Sequence, residues 1–125
     1  MAMQTSAQEM LRAMLNKPLY VAMRQTVNLE LLNELLVEHL QWAVDAERRG
    51  ELFASGPFSA EGSPPGAQGG MTILRAASHE EALDILSHDP FVRDGAITVE
   101  VRKWQLMEGS MTVTVRLSDQ SCNLL

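Results

Sequence analysis

The sequence predicts one α+β domain with elements in the order βαββαβ, the ferredoxin-like split βαβ arrangement. Three observations carry this. Residues alternate in type along 19–27 and again along 96–107, the two-residue period of a strand. Helical periodicity with capping signals runs through 28–50 and again from Ser78 to about His88. Two shorter strand-like stretches, 52–58 and 71–77, lie between these helices. At 125 residues and 46% hydrophobic content, the chain suits a single core, and no second domain is expected.

Taken in order, Ser6 with Glu9 reads as a capping box opening a short Met-rich helix over Met10, Leu11, Met14 and Leu15, which Pro18 should end. This arm, 1–17, precedes the main domain, 18–117. In the first strand Leu19, Val21, Met23 and Val27 fall on one side, and Tyr20, Ala22, Arg24 and Thr26 on the other. Asn28 is then an N-cap, and Arg48, Arg49 and Gly50 supply the cationic and C-capping signals at the end of one long helix. After the second strand, Ser59 to Gly70 is rich in Gly, Pro and Ser. So long a structureless loop in a small domain suggests a flexible lid or rim. Ser78 with Glu81 forms a second capping box and opens the second helix. After the fourth strand, Gly109 and Ser110 turn the chain into a possible fifth strand over 111–117, and 118–125 reads as a tail.

Charge and cysteine content narrow the function. Ten Lys and Arg against 16 Asp and Glu give a net charge of −6, which disfavours nucleic acid and anionic membrane surfaces. The single Cys122 permits no internal disulfide, and no apolar run is long enough for a membrane span, so a cytoplasmic location is expected. No close His, Cys and carboxylate cluster suggests a metal, and no glycine-rich strand-to-helix turn suggests a phosphate cradle. No cofactor is expected.

The candidate chemistry centres on His39. At about 100° per residue, Leu32, Leu35, Leu36, Ala43 and Ala46 lie within roughly 60° of it, so the imidazole faces the core and needs a partner there. Asp89 is the second candidate, because the following Pro90 biases it toward an extended conformation between apolar Leu86 and Phe91. His79 and His88 fit helix-end roles, and Trp42 and Trp104 fit packing. The strands are apolar on both faces. Since helices can cover only one, the other should pack against a second copy in a homodimer.

Several motifs in this order resemble the YCII-related family of small dimeric α+β barrel proteins. They are Leu19-Tyr20-Val21, Glu38-His39-Leu40, GELFASGPF at 50–58 and HDPFVRDGAITVEVRKW at 88–104. The likeness covers roughly Pro18 to Trp104, leaving the arm and the residues beyond Trp104 outside it. It implies that His39 and Asp89 pair as a catalytic dyad. It further implies a cofactor-independent lyase that eliminates HCl from a chlorinated hydroxyquinol, a dehydrochlorinase. A lactone-type isomerase and a non-catalytic dimeric binding protein are the competing expectations. Ser55, Gly56, Pro57, Phe58 and Phe91 are the residues expected to contact a small aromatic substrate.

Overall fold

The computed structural model describes residues 2–124. Two compact units divide the chain: Pro18–Gln105, and a second unit made of the residues up to Lys17 with the chain from Leu106 onward. Residues 106–117, expected to belong to the main domain, therefore fall in the second unit.

The larger unit has the α+β, ferredoxin-like order that the sequence predicts. Strands β1 (Lys17–Thr26), β2 (Leu52–Pro57), β3 (Gly70–Leu74) and β4 (Ile97–Leu106) form one sheet in the order β2-β3-β1-β4. β3 runs antiparallel to both β1 and β2, with Ala22 opposite Thr72 and Ser55 opposite that same Thr72. β1 and β2 are thus parallel with β3 between them, which is the split βαβ. A bulge between Leu52 and Ala54 shifts the register of β2.

The expected long helix is divided in two, α1 (Leu29–Glu34) and α2 (Leu36–Arg48). Asn28 caps it as predicted, its side chain accepting the Leu31 N–H at 3.1 Å. Backbone hydrogen bonds continue past the junction, but Leu35 leaves helical geometry at ψ 2°. The break splits the apolar face between two clusters. Leu32 and Leu35 pack with Phe91, Ala96 and Ile97, whereas Ala46 joins Tyr20, Ala22, Leu74, Ala82, Ile85 and Leu86. The next helix, α3 (His79–Ser87), opens with Ser78 accepting from Glu81 N–H, while the Glu81 carboxylate accepts from Ala77 N–H. A four-residue helix, α4 (Pro90–Arg93), precedes β4.

The second unit departs most from expectation. Its N-terminal helix, αN (Ala2–Ala13), begins upstream of Ser6, so Ser6 lies within the helix and is not its cap. The helix ends before Pro18 does its expected work. Asn16, at φ 52°, donates its amide to the carbonyls of Leu11 and Met14, both at 2.9 Å, and Pro18 instead sits inside β1. The expected fifth strand is confined to β5 (Val113–Val115) and pairs with β6 (Cys122–Leu124), in a segment expected to be a tail. Asp119 makes the connecting turn by accepting from both the backbone N–H and the hydroxyl of Ser121.

The loop at 59–70 is folded against β1 and the end of β2 within the larger unit. Thr26 donates its hydroxyl to Gly66 O at 2.5 Å, Phe58 N–H bonds Gly69 O, and Gln68 reaches Ser63. Gly69 has φ +70°, and a Cβ there would lie 2.1 Å from the Arg24 carbonyl oxygen. Gly62 has a similar φ of +79° but open space around it. Gly62→Ala should therefore cost only the backbone penalty, about 1 kcal/mol, and Gly69→Ala at least about 2 kcal/mol more because β1 must move. Urea denaturation of both variants checks this; equal losses would show that the close approach to β1 is unimportant.

Candidate functional site

Asp89 is placed by its own sequence context. Its N–H closes on Leu86 O as α3 ends, and Pro90 follows at the first position of α4, leaving Asp89 extended at φ −69° and ψ 122°. The carboxylate then caps α4, with Oδ1 accepting Phe91 N–H at 3.0 Å. The same oxygen lies 2.8 Å from His39 Nδ1, across 50 residues of sequence. Both residues are buried, at 1% and 7% exposure. An ionised carboxylate can only accept, so Nδ1 carries the proton and donates, which leaves Nε2 as the basic nitrogen. Among the described residues Nε2 has no hydrogen-bond partner. It is also not one of the fully enclosed unpaired atoms, which are Arg24 Nε and Trp42 Nε1.

Phe91 fixes the imidazole from one side. The two rings are stacked with centroids 3.9 Å apart and planes inclined by 4°. Trp42 lies 6.0 Å away at a tilt and otherwise packs against the larger core cluster. His39 is thus held in plane by Phe91 and in rotation by Asp89. Such an arrangement can take up and return a proton at Nε2 without changing its own geometry.

A cavity of about 260 Å³ lies alongside. Its walls come from Arg24, Thr26 and Ile97 on the sheet, Leu32, Asn33 and Leu36 on the helices, and Pro57 and Phe91 at element ends. The loop adds Pro65, Gly66 and Gly69, so it forms a rim of the cavity. Leu36, on the predicted apolar face, is 41% exposed because that face opens onto the cavity instead of being packed. Neither His39 nor Asp89 is in the lining. Phe91 is the residue shared by the cavity and the dyad.

The other expected contacts divide. Pro57 lines the cavity with Phe91, whereas Ser55, Gly56 and Phe58 do not. Ser55 Oγ pairs with Thr72 Oγ1 at 3.0 Å, the two residues being opposite in register on neighbouring strands. Gly56 gives its carbonyl to Arg24 Nη2 at 2.7 Å, and Phe58 is 43% exposed beyond the end of β2. Among the described residues, no three His, Cys, Asp or Glu side chains are grouped to hold a metal ion.

Arg24 is the site residue that the sequence reading passed over. It shares a strand face with buried Tyr20 and Ala22, an unusual place for a guanidinium, and that pairing was the available signal. Burial pulls its pKa below the ordinary value, and the negative charge of Asp89 acts in the opposite direction. Even so, an arginine stays protonated.

The YCII-related domain matches residues 10–105 of this chain. The chain is 32% identical over 91 residues to the Uncharacterized protein YjpA of Bacillus subtilis (strain 168), an alignment spanning 70% of this chain and 98% of that protein. In structure it is similar to the 5-chloro-2-hydroxyhydroquinone dehydrochlorinase TftG from Burkholderia phenoliruptrix AC1100, in complex with 2,5-dihydroxybenzoquinone. The TM-score is 0.58 and the identity 21%, covering 69% of this chain and 92% of that one. The ferredoxin-like order of the sheet, the extended aspartate before Pro90 and these likenesses agree: the chain belongs to the YCII-related domain family.

Proposed function

We propose that this protein is a cofactor-independent lyase in which His39 and Asp89 move protons on a small hydroxylated aromatic, eliminating HCl from a chlorinated hydroxyquinol. The observation that carries the reading is the buried 2.8 Å bond from His39 Nδ1 to Asp89, with Nε2 left without a protein partner and the imidazole stacked on Phe91, which lines a cavity of about 260 Å³. A cavity of roughly 150 Å³ already holds benzene, so a substituted ring fits. The TftG dehydrochlorinase, similar in fold, binds a dihydroxybenzoquinone, which supports a ring of that kind as ligand.

In the proposed reaction the ring packs on Phe91 and presents a hydroxyl to Nε2. His39 accepts that proton and returns it to the ring carbon bearing chlorine, giving a ketonised intermediate. Loss of a second hydroxyl proton then drives chloride out and leaves a hydroxybenzoquinone. The carbon that loses chloride is reduced as the ring is oxidised, so no external oxidant is needed. Asp89 orients the imidazole and stabilises its protonated form, with general acid–base action of this kind worth typically about 10²–10⁴ in rate.

A second reading rests on a specific observation: His39 and Asp89 satisfy each other and neither lines the cavity, as a purely structural pair would. In it the protein binds a small molecule without turning it over. A lactone isomerase would use the same dyad. Purified protein mixed with chlorinated hydroxyquinols and with lactones, followed by chloride release and ultraviolet spectra, separates the three. His39→Ala and Asp89→Asn should each lower turnover about 10²–10⁴-fold while circular dichroism stays unchanged. Folded variants with wild-type turnover would end the acid–base reading, spectral change without chloride would favour the isomerase, and no turnover across the panel would favour binding alone.

We further propose that the protein acts as a homodimer joined through the sheet face opposite the helices. Val21, Met23, Met71 and Trp104 gather there, and Met23 and Trp104 are each 39% exposed. Leaving this much apolar surface wet is unfavourable. Arg102 and Lys103 border the patch, so Met23→Lys adds a like charge and should weaken dimerisation at least about tenfold by sedimentation equilibrium. An unchanged association constant would place the interface elsewhere. The exposed single cysteine, Cys122, fits a reducing cytoplasm.

A further inference from the structure

We propose that Arg24 is the anion-recognition residue of the cavity, and that its ligand is a planar ring carrying an ionised oxygen, as in a phenolate or an aryl carboxylate. This rests on the reading of the cavity as the ligand site and names the class of molecule that enters it.

Three observations carry it. First, Arg24 is the single charged residue in a lining otherwise made mostly of apolar groups. Thr26, one of the two other polar side chains there, has already donated its hydroxyl to Gly66 O. Second, the guanidinium is incompletely satisfied. Nη2 donates to Gly56 O at 2.7 Å, but Nε is sealed from water with no acceptor. A buried N–H without a partner is unfavourable, and an apolar side chain of similar length would avoid that penalty. Its remaining donors form the planar fork that suits a carboxylate or phenolate oxygen. Third, the seat is built for the cation. A Cβ at Gly70 would stand 2.1 Å from Arg24 Nη2 and 2.6 Å from Gly56 O, so only glycine lets β3 pass beneath the guanidinium.

The nearby Asp89 does not serve as the missing acceptor. Its Oδ1 is taken by His39 Nδ1 and Phe91 N–H, and no hydrogen bond joins it to Arg24 among the described residues. Asp89 instead acts on the guanidinium through space, helping to keep a cation tolerable in a largely apolar enclosure. A bound anion would engage the donors that the guanidinium presents to the cavity and at the same time place its ring against Phe91, next to the imidazole.

Calorimetric titration tests this with benzoate and 4-nitrophenolate as the two anion sources and benzamide and nitrobenzene as their neutral counterparts, at pH 8.5. Wild-type protein should bind at least one anion 20-fold or more tightly than its neutral counterpart; benzoate alone would identify a carboxylate site and 4-nitrophenolate alone a phenolate site. Arg24→Met should abolish that preference, and Arg24→Lys should retain part of it. Equal binding of anion and neutral counterpart, failure of both anions to bind at millimolar concentration, or a folded Arg24→Met that keeps the preference would each overturn the proposal. The wild-type comparison decides the matter even if Arg24→Met does not fold. The same titrations on His39→Ala separate this proposal from the acid–base one. Anion preference without any catalysed reaction overturns only the latter, and a catalysed reaction without anion preference overturns only the former.

Discussion

A carboxylate withdrawn from water has to be met by donors, and the arrangement of the larger unit follows from how Asp89 meets them. One donor is local, the Phe91 N–H at the start of α4. The other comes from the far side of the sequence, the imidazole of His39. Each donor fixes an element: the first sets the turn out of α3, the second fixes where α2 lies against it. Removing either partner would strand a polar group in a packed interior, which is why the pair constrains the fold whether or not it performs chemistry.

The stacking of Phe91 on His39 extends that constraint to the cavity. Phe91 belongs to the cluster with Leu32, Leu35, Ala96 and Ile97, so the ring that steadies the imidazole is itself held by α1, by Leu35 at the helix break and by β4. The break at Leu35 has a clear effect here. A straight helix would carry one continuous apolar stripe into one core, whereas the bent one feeds two clusters and leaves Leu36 facing open space.

Much of this was legible in the sequence because its signals were local and strong. Asn28 and Ser78 announced their helices through capping chemistry, alternation marked β1 and β4, and helical spacing put His39 on the buried face. The pairing with Asp89 was not legible from spacing, since it depends on two elements 50 residues apart, and came only through family likeness. The failures have physical causes as well. Helical periodicity does not register a one-residue change of ψ, so Leu35 went unseen. Asn16 ended αN by wrapping its amide onto the preceding carbonyls, a role the nearby proline obscured. Strand register hands Ser55 to Thr72, and the end of β2 leaves Phe58 outside the cavity lining, neither of which periodicity within one strand reveals. Arg24 was overlooked because a charged residue in an alternating strand is ordinarily assigned to the wet side.

The fastening of the 59–70 loop separates two properties of the cavity. Gly66 and Gly69 are bound to β1 and to the end of β2, while the apex at 60–63 takes no part in the lining. Insertions or replacements grafted at the apex would leave those anchors in place, and with them the part of the cavity wall that Gly66 and Gly69 form. The outer rim can therefore change without disturbing the His39–Asp89 pair, which belongs to other elements altogether.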